Sequence, residues 1–274
     1  MIFSGTQIRD EIIPKLRQGF SLLEYKSQLV IVQIGENEVS SVYINQKKKI
    51  GDSLGVKVLS INLSEEVEEN EILDVISGYN DDEETLGIIV QLPIPDKFDT
   101  RKILDSIKPE KDIDGLGSIQ TGFLLTKNPK AFVPATARGV LSILDYYKVE
   151  LSGTDVVIVG RSNLVGLPTA ISCIHRDATV TVCNSHTKNL DQITSKADIL
   201  IVACGKPKLI TENFIKKGAI VIDIGIHKIE KGLCGDVDFE KVSEKVSGIT
   251  PVPGGVGPLT VISLFQNLLD ASKR

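Results

Sequence analysis

Short runs rich in Val, Ile and Leu recur along the chain at residues 29–34, 56–63, 86–92, 156–159, 178–183, 199–203 and 219–224. Each predicts a buried β-strand. Stretches with helical spacing lie between most of them, as at 39–54 and 71–78. Alternation of this kind predicts a parallel α/β architecture, because parallel strands need crossover helices that cover the sheet faces.

The pattern breaks in the middle. Residues 108–136 carry Pro109, Gly115, Gly117, Gly122, Pro129 and Pro134, and neither period survives there. The expected organisation is an N-terminal α/β domain over 1–136 and a Rossmann-type parallel-sheet domain over 137–258 that opens with a helix at 137–147, with a cleft between the two. In the terminal helix, 259–274, the residues Val261, Leu264, Phe265, Leu268 and Leu269 form one apolar stripe that can pack back on the first domain. Just before it, the stretch 250–258 (TPVPGGVGP) holds three prolines and three glycines in nine residues, which dictates a loop of constrained geometry.

Composition narrows the function. With 42% hydrophobic residues in 274 the chain can bury a substantial core in each domain. A net charge of -5 gives no electrostatic footprint for nucleic acid or an anionic membrane. There is no apolar run long enough to span a bilayer, and the first residues lack the basic-then-apolar order of a signal peptide, so a cytoplasmic protein is expected. Cys173, Cys183, Cys204 and Cys234 form no C-x-x-C pair, which predicts reduced, mostly buried thiols and no metal.

Candidate chemistry lies at three places. The segment 155–166 (DVVIVGRSNLVG) is an apolar strand running into a turn and then a helix starting near Leu164. It is not G-x-G-x-x-G, since only Gly160 and Gly166 are present; both an ordinary strand-to-helix turn and a phosphate-binding turn fit, and Arg161 and Ser162 favour the second. The next strand ends in Asn184-Ser185-His186-Thr187, without the carboxylate that usually meets the ribose hydroxyls of NAD, so NADP is favoured.

In the helix after Gly35, Val39, Val42, Tyr43, Ile50 and Leu54 define an apolar face that Lys47, Lys48 and Lys49 interrupt. At about 100° per residue Lys47 falls roughly 70° from the centre of that face, one turn from Tyr43, where partial burial would lower its pKa and suit it to proton transfer. The alternative is a solvated basic face. Gln91 closes its strand at the edge where α/β proteins bind ligands, or is a plain strand-end polar residue. Asp112 and Asp114 stand on alternate positions and, if extended, would point the same way; an Asp-rich turn is the other reading.

Seven segments together resemble the bifunctional methylenetetrahydrofolate dehydrogenase/cyclohydrolase family: 40–49 (SSVYINQKKK), 91–95 (QLPIP), 109–115 (PEKDIDG), 160–168 (GRSNLVGLP), 178–187 (ATVTVCNSHT), 235–239 (GDVDF) and 250–260 (TPVPGGVGPLT). The resemblance implies oxidation of methylenetetrahydrofolate with NADP, hydrolysis of the methenyl product to 10-formyltetrahydrofolate, and a homodimer. It implies Lys47 as the key catalytic residue, tuned by Gln91, with Tyr43 stacking near the folate. Asp114 would bind the pterin, and Pro253, Gly254 and Gly255 would line the folate site. Gly160, Arg161, Ser162, Gly166, Ser185, His186 and Ile226 would hold the cofactor. The chain departs from the family pattern at Gly117, Gln120, Ala135 and Asn184. No P-loop motif is present, which argues against an ATP-dependent formate ligase.

Overall fold

The alternation resolves into two parallel sheets. The computed structural model describes residues 1–23, 27–36, 38–230 and 232–274, with the side chains of 38 and 39 also outside the description. From the N-terminus, α1 (Gly5–Ser21) leads to β1 (Gln28–Ile34), α2 (Glu38–Leu54), β2 (Lys57–Leu63), α3 (Glu69–Asp81) and β3 (Thr85–Val90). The strands pair in the order β2-β1-β3, all parallel.

Every residue of β1 is buried, as a central strand covered on both faces must be. Because side chains alternate, its run divides between two cores. Leu29 and Ile31 pack with Ile44, Leu54, Phe265 and Leu268, while Val30, Val32 and Ile34 pack with Ile72, Ile76 and Ile88. Two short helices, α4 (Thr100–Asp105) and α5 (Ser118–Leu125), follow.

After α6 (Ala135–Tyr146) come β4 (Asp155–Val159), α7 (Gly166–Ile174), β5 (Thr179–Cys183), α8 (Leu190–Thr194), β6 (Ile199–Val202) and β7 (Ile220–Asp223). A hairpin of β8 (His227–Ile229) and β9 (Gly232–Cys234), then α9 (Phe239–Ser243), β10 (Gly248–Ile249) and α10 (Gly257–Ala271), complete the chain. The second sheet has the order β10-β7-β6-β4-β5 and is parallel throughout. Its order reverses at β4, which has β5 on one side and β6 on the other; ligands bind at the carboxyl ends of strands at such a switch point.

Two compact units emerge, Met1–Asp10 with Thr136–Thr260, and Glu11–Ala135 with Val261–Arg274. This corrects the expected division at one end, since the first ten residues join the second sheet's unit. Ile2 bridges Ile249, Phe3 N donates to Ile249 O at 2.8 Å, and the Phe3 ring stacks on Tyr147 with centroids 4.2 Å apart. The helix of the glycine turn also begins two residues later than expected, at Gly166.

The terminal helix is anchored within its own unit. Asn267, fully buried, donates from Nδ2 to Ile113 O (2.7 Å) and Val133 O (2.9 Å), pinning two points of the 108–136 stretch, which also contains α5 and is bridged to β3 at Asp112 and Ile88.

Candidate active site

On α2 the buried positions are Ser40, Ile44, Gly51 and Leu54, while Val42 and Tyr43 are exposed. The expected apolar face is therefore corrected: its members 42 and 43 point outward, and the buried stripe runs through small residues that hydrophobicity alone does not mark. A Cβ on Gly51 would collide with Val58, so the helix lies close against β2 there. Position 47 falls on the same stripe, midway between 44 and 51, and Lys47 is part-buried. The side chain of Val39 lies outside the described residues.

Lys47 Nζ donates to Gln91 Oε1 at 2.8 Å, and Gln91 is itself fixed, its Nε2 donating to Leu92 O (3.0 Å) and its backbone N to Val32 O (2.8 Å). Burial lowers the Lys47 pKa, and the Asp114 carboxylate opposes that shift. Asp114 is raised by its own burial, with Lys47 and the Ala135 N–H pulling the other way. Lysine, amide and carboxylate thus form one coupled group at the carboxyl edge of the first sheet.

The two carboxylates of 109–115 do not act alike, which corrects the extended reading. Asp112 is 3% exposed and turns inward, its Oδ1 accepting from Gly115 N (3.0 Å) and Leu116 N (3.4 Å), its Oδ2 from Gly117 N (2.8 Å). Burial pushes its carboxyl up to about 6. Asp112 builds the turn, and Asp114 is left to face Lys47.

At the second sheet's switch point, Gly160 has φ +134° and its N–H donates to Cys183 O at 2.9 Å. A Cβ there would collide with Ala203 O, and one on Gly166 with Gly160 O. Both glycines are therefore required by close approach, and they bring the first turn of α7 against the end of β4. Ser162 Oγ accepts from Val165 N at 3.2 Å, and Arg161 is exposed. Ser185 and His186 are exposed at the end of β5, where Asn184 Oδ1 accepts from His186 N at 2.9 Å and shapes the turn. Helix N-terminal amides, a hydroxyl, a guanidinium and no carboxylate at the β5 end suit a pyrophosphate and a further phosphate.

Ile226 is 47% exposed beyond β7, and with Pro253, Gly254 and Gly255 it lines a pocket of ≈ 110 Å³. Among the departures, Gln120 is a structural residue: buried, with Nε2 donating to Pro109 O (2.6 Å) and Oε1 accepting from Phe132 N (2.7 Å). The four cysteines are free thiols, three of them buried. Among the described residues no cluster of His, Cys, Asp or Glu could hold a metal ion, and no helix is long and apolar enough to cross a membrane. Sequence reasoning missed the ties between the loops beyond β6 and β7, which the motif at 235–239 alone signalled.

A Rossmann-type sheet with a glycine turn at its switch point, in a chain that also sets a part-buried lysine beside a glutamine and a carboxylate, defines an α/β enzyme of the dinucleotide-dependent class. The chain belongs to the tetrahydrofolate dehydrogenase/cyclohydrolase family. The model of that family's catalytic domain matches residues 3–114, and that of its NAD(P)-binding domain residues 134–274. The bifunctional protein FolD of Streptococcus thermophilus is 47% identical over 279 aligned positions, covering 100% of this chain and 98% of that one. The solved bifunctional FolD of Campylobacter jejuni superposes with TM-score 0.97 at 40% identity, covering 100% and 98%. That of Trypanosoma brucei, complexed with NADP cofactor and inhibitor, gives TM-score 0.94 at 34% identity, covering 100% and 97%.

Proposed function

We propose that the chain oxidises 5,10-methylenetetrahydrofolate to the 5,10-methenyl cation with NADP and then hydrolyses the cation to 10-formyltetrahydrofolate. The observation that carries this reading is the 2.8 Å bond from a part-buried Lys47 to Gln91, in a family whose relatives are named bifunctional FolD. NADP, when bound, accepts the hydride. Gly160, Arg161, Ser162, Gly166, Ser185, His186 and Ile226 hold it, and the unit built on residues 136–260 is the NADP-binding domain.

The remaining unit binds folate. Within it Tyr43 offers an exposed ring for stacking and Asp114 a carboxylate for the pterin's amino and ring N–H groups; Pro253, Gly254 and Gly255 belong to the other unit and are assigned to the substrate on the family resemblance. Hydrolysis needs a group that removes a proton from the attacking water. Burial disfavours the ammonium form of Lys47 and so favours the neutral amine that such a step requires, and Gln91 holds its Nζ in place. The protein acts in the cytoplasm as a homodimer, with no nucleic-acid or membrane partner.

Purified protein given methylenetetrahydrofolate with NADP or NAD tests the whole reading, with reduced cofactor and methenyl product followed together. Coupled loss of both substrates without methenyl accumulation is expected. Lasting methenyl accumulation would remove the hydrolase half, and no reduction of either cofactor would remove the enzyme.

Two variants probe the assignment further. Arg161→Ala is expected to lower kcat/KM for NADP by about 10- to 100-fold, the worth of a charge-assisted bond, while changing that for NAD less than about threefold; equal losses would show that Arg161 does not read the 2′-phosphate. Asp114→Asn removes the carboxylate that raises the Lys47 pKa. The acid limb of the cyclohydrolase pH profile is therefore expected to move to lower pH, alongside a higher folate KM. A limb that moves upward contradicts the coupling.

A further inference from the structure

Two buried carboxylates stand at the carboxyl edge of the second sheet, and the chemistry above uses neither. Asp223 closes β7 and is 3% exposed; Asp236 follows β9 and is 0% exposed. Asp223 Oδ1 accepts from Gly225 N and Asp236 N, both at 3.0 Å, and its Oδ2 from Val237 N at 2.9 Å. Asp236 Oδ2 accepts from Cys204 N (2.7 Å) and Gly205 N (3.0 Å), while its Oδ1 lies 2.7 Å from His227 Nε2.

The two segments make room for each other reciprocally. A Cβ on Gly235 would collide with the Asp223 carboxylate, and one on Gly225 with that of Asp236. This accounts for the Gly-Asp pair at 235–236 and the Asp-x-Gly at 223–225 in one arrangement. Burying two carboxylates side by side is costly unless their oxygens are all engaged, and burial pushes Asp223 up to about 6. Such a knot fixes geometry, and what it fixes is the loop after β6 and the loop after β7.

Residue 226 is bracketed by it. Gly225 is bonded to Asp223 and packed on Asp236, and His227 is tied to Asp236. The Ile226 side chain takes no part in these bonds and projects half-exposed beside Leu233, Pro251 and Pro253. We propose that the Asp223, Asp236 and His227 knot is a positioning device for the cofactor, holding Ile226 as a fixed apolar ledge, so that His227 and Asp236 set NADP affinity without touching it. The inference rests on the reading of Ile226 as a cofactor contact.

Steady-state dehydrogenase kinetics of three variants in the full chain test it. His227→Ala leaves one Asp236 oxygen without its partner; NADP KM is expected to rise about 5- to 10-fold, with kcat, folate KM and cyclohydrolase rate within about twofold. His227→Gln places an amide N–H near the position of Nε2 and is expected to restore KM to within about twofold of wild type. Ile226→Ala is expected to raise NADP KM as His227→Ala does. If Ile226→Ala raises KM and His227→Ala does not, the knot is structural only and the positioning role is overturned. If Ile226→Ala has no effect, the cofactor-contact reading fails and the ledge with it. A His227→Ala protein that merely melts earlier, with unchanged KM, also overturns the proposal.

Discussion

Lys47→Met is expected to abolish hydrolysis of the methenyl cation, lowering the cyclohydrolase rate by about 10²- to 10⁴-fold, the range over which a positioned acid or base contributes. Methionine keeps the length and the apolar stem, so the packing of α2 survives while the titratable group that donates to Gln91 is lost. Gln91 Oε1 then lacks its 2.8 Å donor, a local cost that does not reach the Ile44, Leu54 and Phe265 core. Hydride transfer depends on the placement of the two reactants and needs no proton from this side chain. The dehydrogenase rate should therefore remain within about tenfold of wild type, and the methenyl product should accumulate. Direct assay on methenyltetrahydrofolate, corrected for its uncatalysed hydrolysis, is the measurement. A full rate in Lys47→Met would remove the lysine from the mechanism.

How far the sequence alone could lead is clear from α2. All seven apolar runs became strands, and β1, β3, β4, β6 and β7 are mostly buried, as composition alone marks; the buried reading is corrected for β2 and β5, which lie at sheet edges and are largely exposed or half-buried. The helix face was different. Its buried stripe passes through Ser40 and Gly51, and small residues read as neutral on any hydrophobicity scale, so Val42 and Tyr43 drew the face toward themselves. Lys47 was legible even so, since of the three lysines it stands nearest the apolar face, one turn from Tyr43.

Asp112 and Asp114 were legible as a pair and not as individuals. Which one bends back to cap residues 115–117 depends on a turn whose geometry is set by Phe132 and Asn267, far away in sequence. The same limit hid the attachment of Met1–Asp10 to the second unit, which rests on a bridge from Ile2 to Ile249. The hairpin β8–β9 and the two-residue β10 were missed because elements that short leave no period to detect.

Gly160→Ala should produce the opposite dissociation from Lys47→Met. An alanine there must hold φ +134°, a region closed to L-residues, and its Cβ meets Ala203 O at the end of β6. Strain of about 1–3 kcal/mol and a similar overpacking cost add to about 2–6 kcal/mol. For a chain of this size, each kcal/mol lowers Tm by about 2–4 °C, so a drop on the order of 10 °C is expected by calorimetry. The strain can also be relieved by moving the turn, and the turn is where α7 aims its amides. A displacement on the order of 1 Å costs about 10²-fold in a positioned reaction, so dehydrogenase kcat/KM for NADP should fall by at least that factor at a temperature where the protein is folded. Under the proposed assignment, hydrolysis of added methenyltetrahydrofolate relies on Lys47, Gln91 and Asp114 and needs no dinucleotide, so it should persist within about threefold. Loss of both activities together, in protein shown to be folded, would mean that the turn at Gly160 does more than hold the cofactor; loss of neither would remove it from the phosphate site.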